Sequence, residues 1–207
     1  MSQTITRLFD DYADATNAVR DLEAIGIAHD DLSIVANNSD GAHGDHGGDG
    51  VNDDGDVTRG VTTGAALGGA GGLLAGLGLL AIPGLGPIVA AGWLAATAAG
   101  AAIGAAGGAA TGGIVGALKN AGHSEEDAEI YSEGVRRGGT LVSAKVPDDK
   151  VSEAEAVLER HRSVDAATRG QAYRDTGWSR FDESAQPYTR AEVERDRALY
   201  GSSPGAI

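Results

Sequence analysis

The chain has 207 residues, no cysteine and a formal net charge of −14 at pH 7. The lack of cysteine excludes disulfides, thiolate nucleophiles and Cys-based metal sites. The acidity opposes binding to nucleic acid, which depends largely on neutralising phosphates. The first residues show no basic stretch followed by an apolar one, so we expect no secretory signal and a cytoplasmic location for the charged part of the chain.

Residues 1–37 predict the first β-α-β half of an α+β domain. Residues 3–9 alternate and are rich in β-branched side chains, as in a strand. Asp10 or Asp11 can then cap a helix that Gly26 ends. A second strand is predicted over residues 32–37.

Residues 38–59 are mostly Gly, Asp, Asn and His and predict an acidic linker, because nothing in them buries apolar area. His43 and His46 lie among Asp residues there, which is a weak set of metal ligands. Two histidines in a linker are not a preformed site. We therefore expect no metal and no cofactor.

The 59 residues from Gly60 to Leu118 contain no Asp, Glu, Lys, Arg or His and are called the neutral block below. Within the block small residues recur every fourth position and would line one face of each helix. Such strips let two backbones approach closely, as in the small-xxx-small pairs of membrane helices. The predicted helix-packing residues are Gly64, Gly68, Gly72, Gly76, Gly92, Gly100, Gly104, Gly108, Gly112 and Gly116.

A break in the neutral block predicts a helical hairpin over residues 60–121. Its turn would consist of Pro83, Gly84, Gly86 and Pro87, because neither helical arm can continue through the prolines. The apolar hairpin would enter a bilayer, pack against further copies of the chain, or fold back on its own domain. We expect one of the first two, since a small domain has little surface for arms of this length.

Residues 122–166 predict the second half of the domain. Ser124 caps a helix that ends at the basic residues Arg136 and Arg137. A strand over 140–146, a helix over 148–161 and a short strand over 163–166 follow. The two halves together predict an α+β, ferredoxin-like split β-α-β sandwich with a glycine-zipper helical hairpin inserted. Residues 167–207 predict a polar C-terminal tail with one short helix, capped at Thr189.

Three stretches resemble a known bacterial family: TRLFDDYADATNAVRDLEAIGIAHDDLSIVAN, AIPGLGPIVAAGWLAA and EEDAEIYSEGVRRGGTLVSAKV. They look like general-stress-protein-like domains, whose relatives are labelled heat-induced or low-temperature-induced stress proteins. The resemblance covers roughly residues 4–161. It implies a stress association and a ferredoxin-like domain with a Gly-rich insertion, and it implies no catalytic residues.

No motif for catalysis or phosphate binding is present, since GxSxG, HExxH and GxxxxGK[ST] are all missing. Arg136 and Arg137 have a simpler role at a helix C-terminus than in holding a phosphate. We therefore expect a non-enzymatic stress-response protein whose hairpin attaches it to membrane lipid or makes it a homo-oligomer. The alternative is a cytoplasmic ligand-sensing or regulatory domain that uses the hairpin only to oligomerise.

Overall fold

The computed structural model describes residues 2–39, 78–82, 85–104 and 113–200. The fold is α+β, with a five-stranded antiparallel sheet in the order β1-β5-β2-β4-β3. The strands are β1 (Ser2–Phe9), β2 (Leu32–Asn37), β3 (Gly78–Ile82), β4 (Gly86–Gly92) and β5 (Thr140–Pro147).

Helices cover both faces of this sheet. The described helices are α1 (Tyr12–Ala24), α2 (Trp93–Gly104), α3 (Ile114–Asn120), α4 (Glu125–Arg136), α5 (Val151–Arg160), α6 (Ala166–Asp175) and α7 (Arg190–Tyr200). Helices α1 and α5 form one layer, and their apolar side chains share a core with Ile34. Helices α2, α3, α4 and α6 cover the other face, in a core that contains Val35. Successive strand residues thus supply opposite cores.

The first β-α-β unit agrees with the predicted elements. Asp11 is the N-cap of α1, and its carboxylate accepts a hydrogen bond of 2.7 Å from the Ala13 N–H. Val19 and Leu22 are fully buried, as the apolar period of the helix requires. Gly26 follows at φ +86°, a conformation that other residues rarely adopt.

The helical hairpin predicted for the neutral block is wrong over residues 78–82 and 86–92, which are strands. They pair with each other from Gly78↔Ala90 to Ile82↔Gly86, and β4 also pairs with β2. The chain reverses between the two strands, and Gly86 there has φ +78°. Pro83 and Gly84 lie outside the described residues, as does the first arm from 60 to 77.

The reason lies in the length of the apolar runs. GLLAI and PIVAAG are short, and a short apolar run fits a buried strand as well as a helix. Strand β2 pairs with β5 along one edge, and β4 pairs with the other edge over residues 33–37, which would otherwise leave backbone groups without partners. Pro87 has no N–H to donate, but its carbonyl accepts a 2.9 Å hydrogen bond from the Asn38 N–H. Tertiary pairing has overridden the helical pattern.

The predicted glycine strip is also wrong at Gly92. This glycine ends β4 at φ +88°, and an added Cβ would lie 2.2 Å from the Leu32 carbonyl oxygen. It allows two strands, rather than two helices, to approach. Gly100 and Gly104 lie in α2 and Gly116 in α3, and these two helices contact each other. Gly64, Gly68, Gly72, Gly76, Gly108 and Gly112 lie outside the described residues.

The first turn of α2 belongs to the core of the domain. Leu94 is fully buried, so it faces this core rather than lipid or a partner chain. Trp93 donates a 3.2 Å hydrogen bond to the Asp31 carbonyl, and Lys145 lies 4.5 Å from its ring centroid. Three environments were considered for the neutral block, and packing on its own domain was the least expected of them. The described residues of its second part nevertheless pack in the core of the domain. No helix within the described ranges is both long and apolar enough to cross a membrane.

The C-terminal region packs on the domain through two helices, α6 and α7. Helix α7 agrees with the predicted short helix, and Thr189 bonds to Glu192 at its start. Helix α6 was not predicted, and its Tyr173 is fully buried. The strand predicted over residues 163–166 is reduced to one bridge, between Val164 and Leu8.

Substitution of Gly92 tests the strand assignment of the neutral block. We expect Gly92→Ala to lower the free energy of unfolding by about 3 kcal/mol or more, because strain at positive φ adds to a clash with backbone. Gly122→Ala is the matched control, since Gly122 has φ +98° and no atom within 4 Å of an added Cβ. It should cost about 1–2 kcal/mol. Equal losses in urea unfolding would contradict the close approach of β4 to β2.

Candidate functional site

The outer edge of strand β1 carries backbone groups that no other described strand pairs with beyond Val164. Leu8 and Val164 exchange two hydrogen bonds, of 2.9 and 2.7 Å, across this edge. Backbone direction alternates along a strand, so the N–H and C=O groups of Thr6, Thr4 and Ser2 also point outward, away from β5. In a continued ladder the next rung would join Thr6 to Ala166.

The Tyr131 hydroxyl takes the place of that rung. It donates a 2.7 Å hydrogen bond to the Thr6 carbonyl and accepts one of 3.2 Å from the Ala166 N–H. A hydroxyl both donates and accepts, so it satisfies both backbone groups while holding the two chains apart. The 164–167 segment therefore leaves β1 at Thr6, and the edge toward Ser2 is open within the described part of the chain.

A cleft of about 300 Å³ lies along this open edge. Glu155 of α5 borders it on one face of the sheet, and His123, Asp127 and Tyr131 border it on the other. The start of α6 closes one end. The described residues that line it are Gln3, Thr4, Ile5, Thr6, Arg7, His123, Asp127, Tyr131, Glu155, Asp165, Ala166 and Ala167.

Beneath the cleft, a polar network fixes the side chains of β1. The Thr6 hydroxyl bonds to His123 Nε2 at 2.8 Å and to the Ser143 hydroxyl at 2.9 Å. The His123 and Tyr131 rings meet edge to face with centroids 6.0 Å apart. Thr6 and Tyr131 are 2% and 3% exposed. Each of these hydroxyls has a partner on the protein, so the network holds these side chains in place beneath the cleft.

Burial changes the ionisation of both rings. It lowers the pKa of His123 below 6.5, an effect that Asp127 opposes and the Arg7 guanidinium reinforces. The imidazole is therefore neutral at pH 7. Burial also raises the pKa of Tyr131 to about 12, against a smaller opposing effect of Arg7. The hydroxyl thus keeps its proton and stays a donor to Thr6.

The lining of the cleft is acidic. Among the described residues that line it, Asp127, Glu155 and Asp165 are acidic, and Arg7 is the one cation because His123 is neutral. Arg7 lies 3.6 Å from Glu155 and also donates to the Thr6 carbonyl at 3.0 Å. The Asp165 carboxylate also caps α6 by accepting from the Thr168 N–H. The cleft favours a cationic occupant over an anionic one.

A second polar cluster surrounds the Glu133 carboxylate, which is 0% exposed. Arg136 donates to it through Nε and Nη2, at 2.8 and 2.7 Å, and Arg137 Nε donates at 2.6 Å. Arg137 also binds Asp196 of α7 at 3.0 Å. Burial by itself would lower the pKa of Arg137, but its bonds to Glu133 raise it above the usual range.

This cluster attaches the C-terminal helices to the domain. The Arg137 guanidinium carbon lies 4.4 Å from the Tyr173 ring centroid, and Arg136 lies 4.9 Å from that of Tyr188. Arg169 donates to Asp10 at 2.6 Å. The cavity at this place is about 10 Å³, near the minimum for one water. It has no room for a ligand, so we assign the cluster a structural role.

Comparisons with known proteins return no relationship. The chain matches no protein-family model, no curated protein and no solved structure.

Sequence reasoning placed no residue of the cleft in a site. His123 directly precedes the N-cap of α4, and Tyr131 has the spacing of an inner-face residue of that helix, so neither position indicates a site by itself. Arg136 and Arg137, considered for phosphate binding, bind Glu133 instead. No local signal marks the cleft, because it depends on the pairing of Leu8 with Val164, residues far apart in sequence.

The neutral His123 predicts a loss of stability at acid pH. Its pKa is lower in the folded protein than in the unfolded chain, so the unfolded state binds more protons between the two values. The free energy of unfolding should therefore fall as pH drops below about 6.5. His123→Gln should flatten this slope in urea unfolding from pH 7 to 5. An unchanged slope in the variant would contradict a lowered pKa of His123 in the folded protein.

The buried carboxylate gives a second prediction. Glu133→Gln should lower the free energy of unfolding by about 3 kcal/mol or more, because it leaves two arginines without their buried counter-charge. Glu194→Gln is the control, since the Arg190–Glu194 pair is exposed and should contribute less than about 0.5 kcal/mol. Similar losses in the two variants would show that the Glu133 cluster does not stabilise the fold.

Proposed function

We propose that the protein is a non-enzymatic, stress-associated binding domain that holds a partner at the cleft along β1. The observation that carries the proposal is the Tyr131 hydroxyl between Thr6 and Ala166, which opens the edge beside the cleft. Unpaired outward groups on a strand edge are a template for binding another chain. The stress association rests on the resemblance described in the sequence analysis.

The chemistry of the cleft supports binding rather than catalysis. The Thr6 hydroxyl oxygen lies 2.8 Å from His123 Nε2, which is a distance typical of a nucleophile and its general base. The Thr6 hydroxyl is also bonded to the Ser143 hydroxyl, and both residues are buried, so this hydroxyl is not free to attack a molecule in the cleft. A nucleophile has to reach its substrate, and this hydroxyl is inside the protein.

The order of the strands supports a ferredoxin-like split β-α-β arrangement at the centre of the domain. Counting Val164 as a minimal fourth strand, the order Val164-β1-β5-β2 matches two interleaved β-α-β halves. Strands β3 and β4 then extend the sheet beyond β2. Under this proposal the neutral block adds a hairpin of strands to the domain, and its helices α2 and α3 cover one face.

Self-association or membrane attachment through the neutral block is the second candidate. One observation favours it, since Leu79 on the edge strand β3 has 56% of its surface exposed. An exposed apolar side chain on a sheet edge is a typical contact point between chains. We rank this candidate second because β4, α2 and α3 bury much of the described block inside the domain.

Site-specific photo-crosslinking in the producing cells tests the proposal. A photoreactive residue replaces Gln3 in the cleft, Leu79 on β3, or the exposed Glu183 as a control. We expect stress-dependent adducts with another protein at position 3 and none at position 183. Adducts at position 79 alone, with lipid or a second copy, would favour the second candidate. Equal labelling at positions 3 and 183 would contradict a role for the cleft.

A further inference from the structure

We propose that the β1 edge binds an extended peptide segment with basic side chains, which adds to the sheet as a further strand. This inference rests on the proposed function and names its partner class. Neither the fold nor the buried networks account for an edge that is open, polar and acidic. Strand addition explains all three features together.

The backbone of β1 is suited to this pairing. Thr4 directs its N–H and C=O groups toward the cleft, and those of Ser2 point to the same side, away from β5. Val164 and the Tyr131 hydroxyl occupy the edge from Leu8 to Thr6, so an added strand begins beyond Thr6. Residues 2–6 contain none of the prolines or lysines that commonly protect an edge from pairing.

The charges of the cleft decide between occupants. A second copy of the chain paired edge to edge would bring two sets of Asp127, Glu155 and Asp165 together, in a protein of net charge −14. Like charges at close range oppose that contact. A segment with lysine or arginine gains attraction from the same carboxylates. The electrostatics therefore select a basic peptide over self-pairing.

The walls of the cleft fit the period of a strand. Side chains alternate between the two faces of an added strand. One set would point toward Glu155 of α5, and the other toward Asp127 at the start of α4. Basic residues at every second position of the peptide would reach one wall of the cleft. Basic residues at successive positions would reach both walls. Neutral His123 leaves this attraction undiminished at pH 7.

Nuclear magnetic resonance titration of the full chain tests the inference. The probe is a short peptide that alternates lysine and valine, blocked at both ends, and its control replaces each lysine with glutamate. We expect the lysine peptide to shift the Ser2 and Thr4 amide signals, slow the exchange of the Thr4 amide, and bind more weakly as salt rises. The glutamate peptide should leave these signals unchanged.

Two kinds of variant locate the site. Thr4→Pro removes an outward N–H without breaking the β1–β5 ladder, and Thr4→Val keeps that N–H. We expect at least about tenfold weaker binding for Thr4→Pro, from a lost hydrogen bond and ring bulk, and less than about twofold change for Thr4→Val. Asp127→Asn and Glu155→Gln, which leave the backbone intact, should each weaken binding about threefold at low salt.

The outcomes separate this inference from the proposed function. Equal binding of the two peptides, or unchanged binding in Thr4→Pro and in both charge variants, overturns the inference. So does a concentration-dependent dimer that Thr4→Pro abolishes, because the occupant would then be a second copy. Adducts at position 3 in cells, without binding of the lysine peptide, overturn the inference alone and leave the cleft as the site. Failure of both experiments overturns both proposals.

Discussion

The hydroxyl of Tyr131 lies between two backbone groups that would otherwise bond to each other, the Thr6 carbonyl and the Ala166 N–H. Leaving either group unpaired in a buried site would cost about 1–3 kcal/mol. A phenol can satisfy both, because it donates through its hydrogen and accepts through its oxygen. The high pKa of Tyr131 preserves the hydrogen it donates. The ladder is therefore opened without leaving the Thr6 carbonyl or the Ala166 N–H unsatisfied.

Close approach of α4 to β1 makes this arrangement possible. Gly134 lies one helical turn after Tyr131, and a Cβ there would be 2.5 Å from the Leu8 side chain. Because glycine has no side chain, the helix can lie near enough for the Tyr131 hydroxyl to reach Thr6. The Glu133 cluster fixes the next part of the same helix and binds α7 through Asp196. One helix thus holds the edge of β1 and the C-terminal region.

Strong local signals predicted much of the fold. Asp11 and Gly26 mark the ends of α1, and the alternation in LSIVAN predicts β2, because caps and periodicity act within a few residues. The helices predicted for the neutral block are wrong at Leu80 and Ile88, which lie in strands. Short apolar runs do not distinguish a strand from a helix. Only the free edge of β2 decides that they form strands.

The cleft could not be predicted in the same way. Its opening depends on three segments, around Leu8, Tyr131 and Val164, that are distant in sequence and adjacent in the fold. Tyr131 has the spacing of an ordinary inward-facing helix residue, and nothing nearby shows that its hydroxyl meets a strand. His123 likewise gains its neutral state from burial beside Thr6, which is a tertiary property.

Amide hydrogen exchange along β1 tests most directly whether its edge is open. If the edge is open, the amides of Gln3 and Ile5, whose N–H groups bond to β5, exchange slowly. The Thr4 amide between them points into the cleft and should exchange at least about a hundredfold faster. Equal protection of Thr4 and Ile5 would show that the edge is already paired, and would contradict the account.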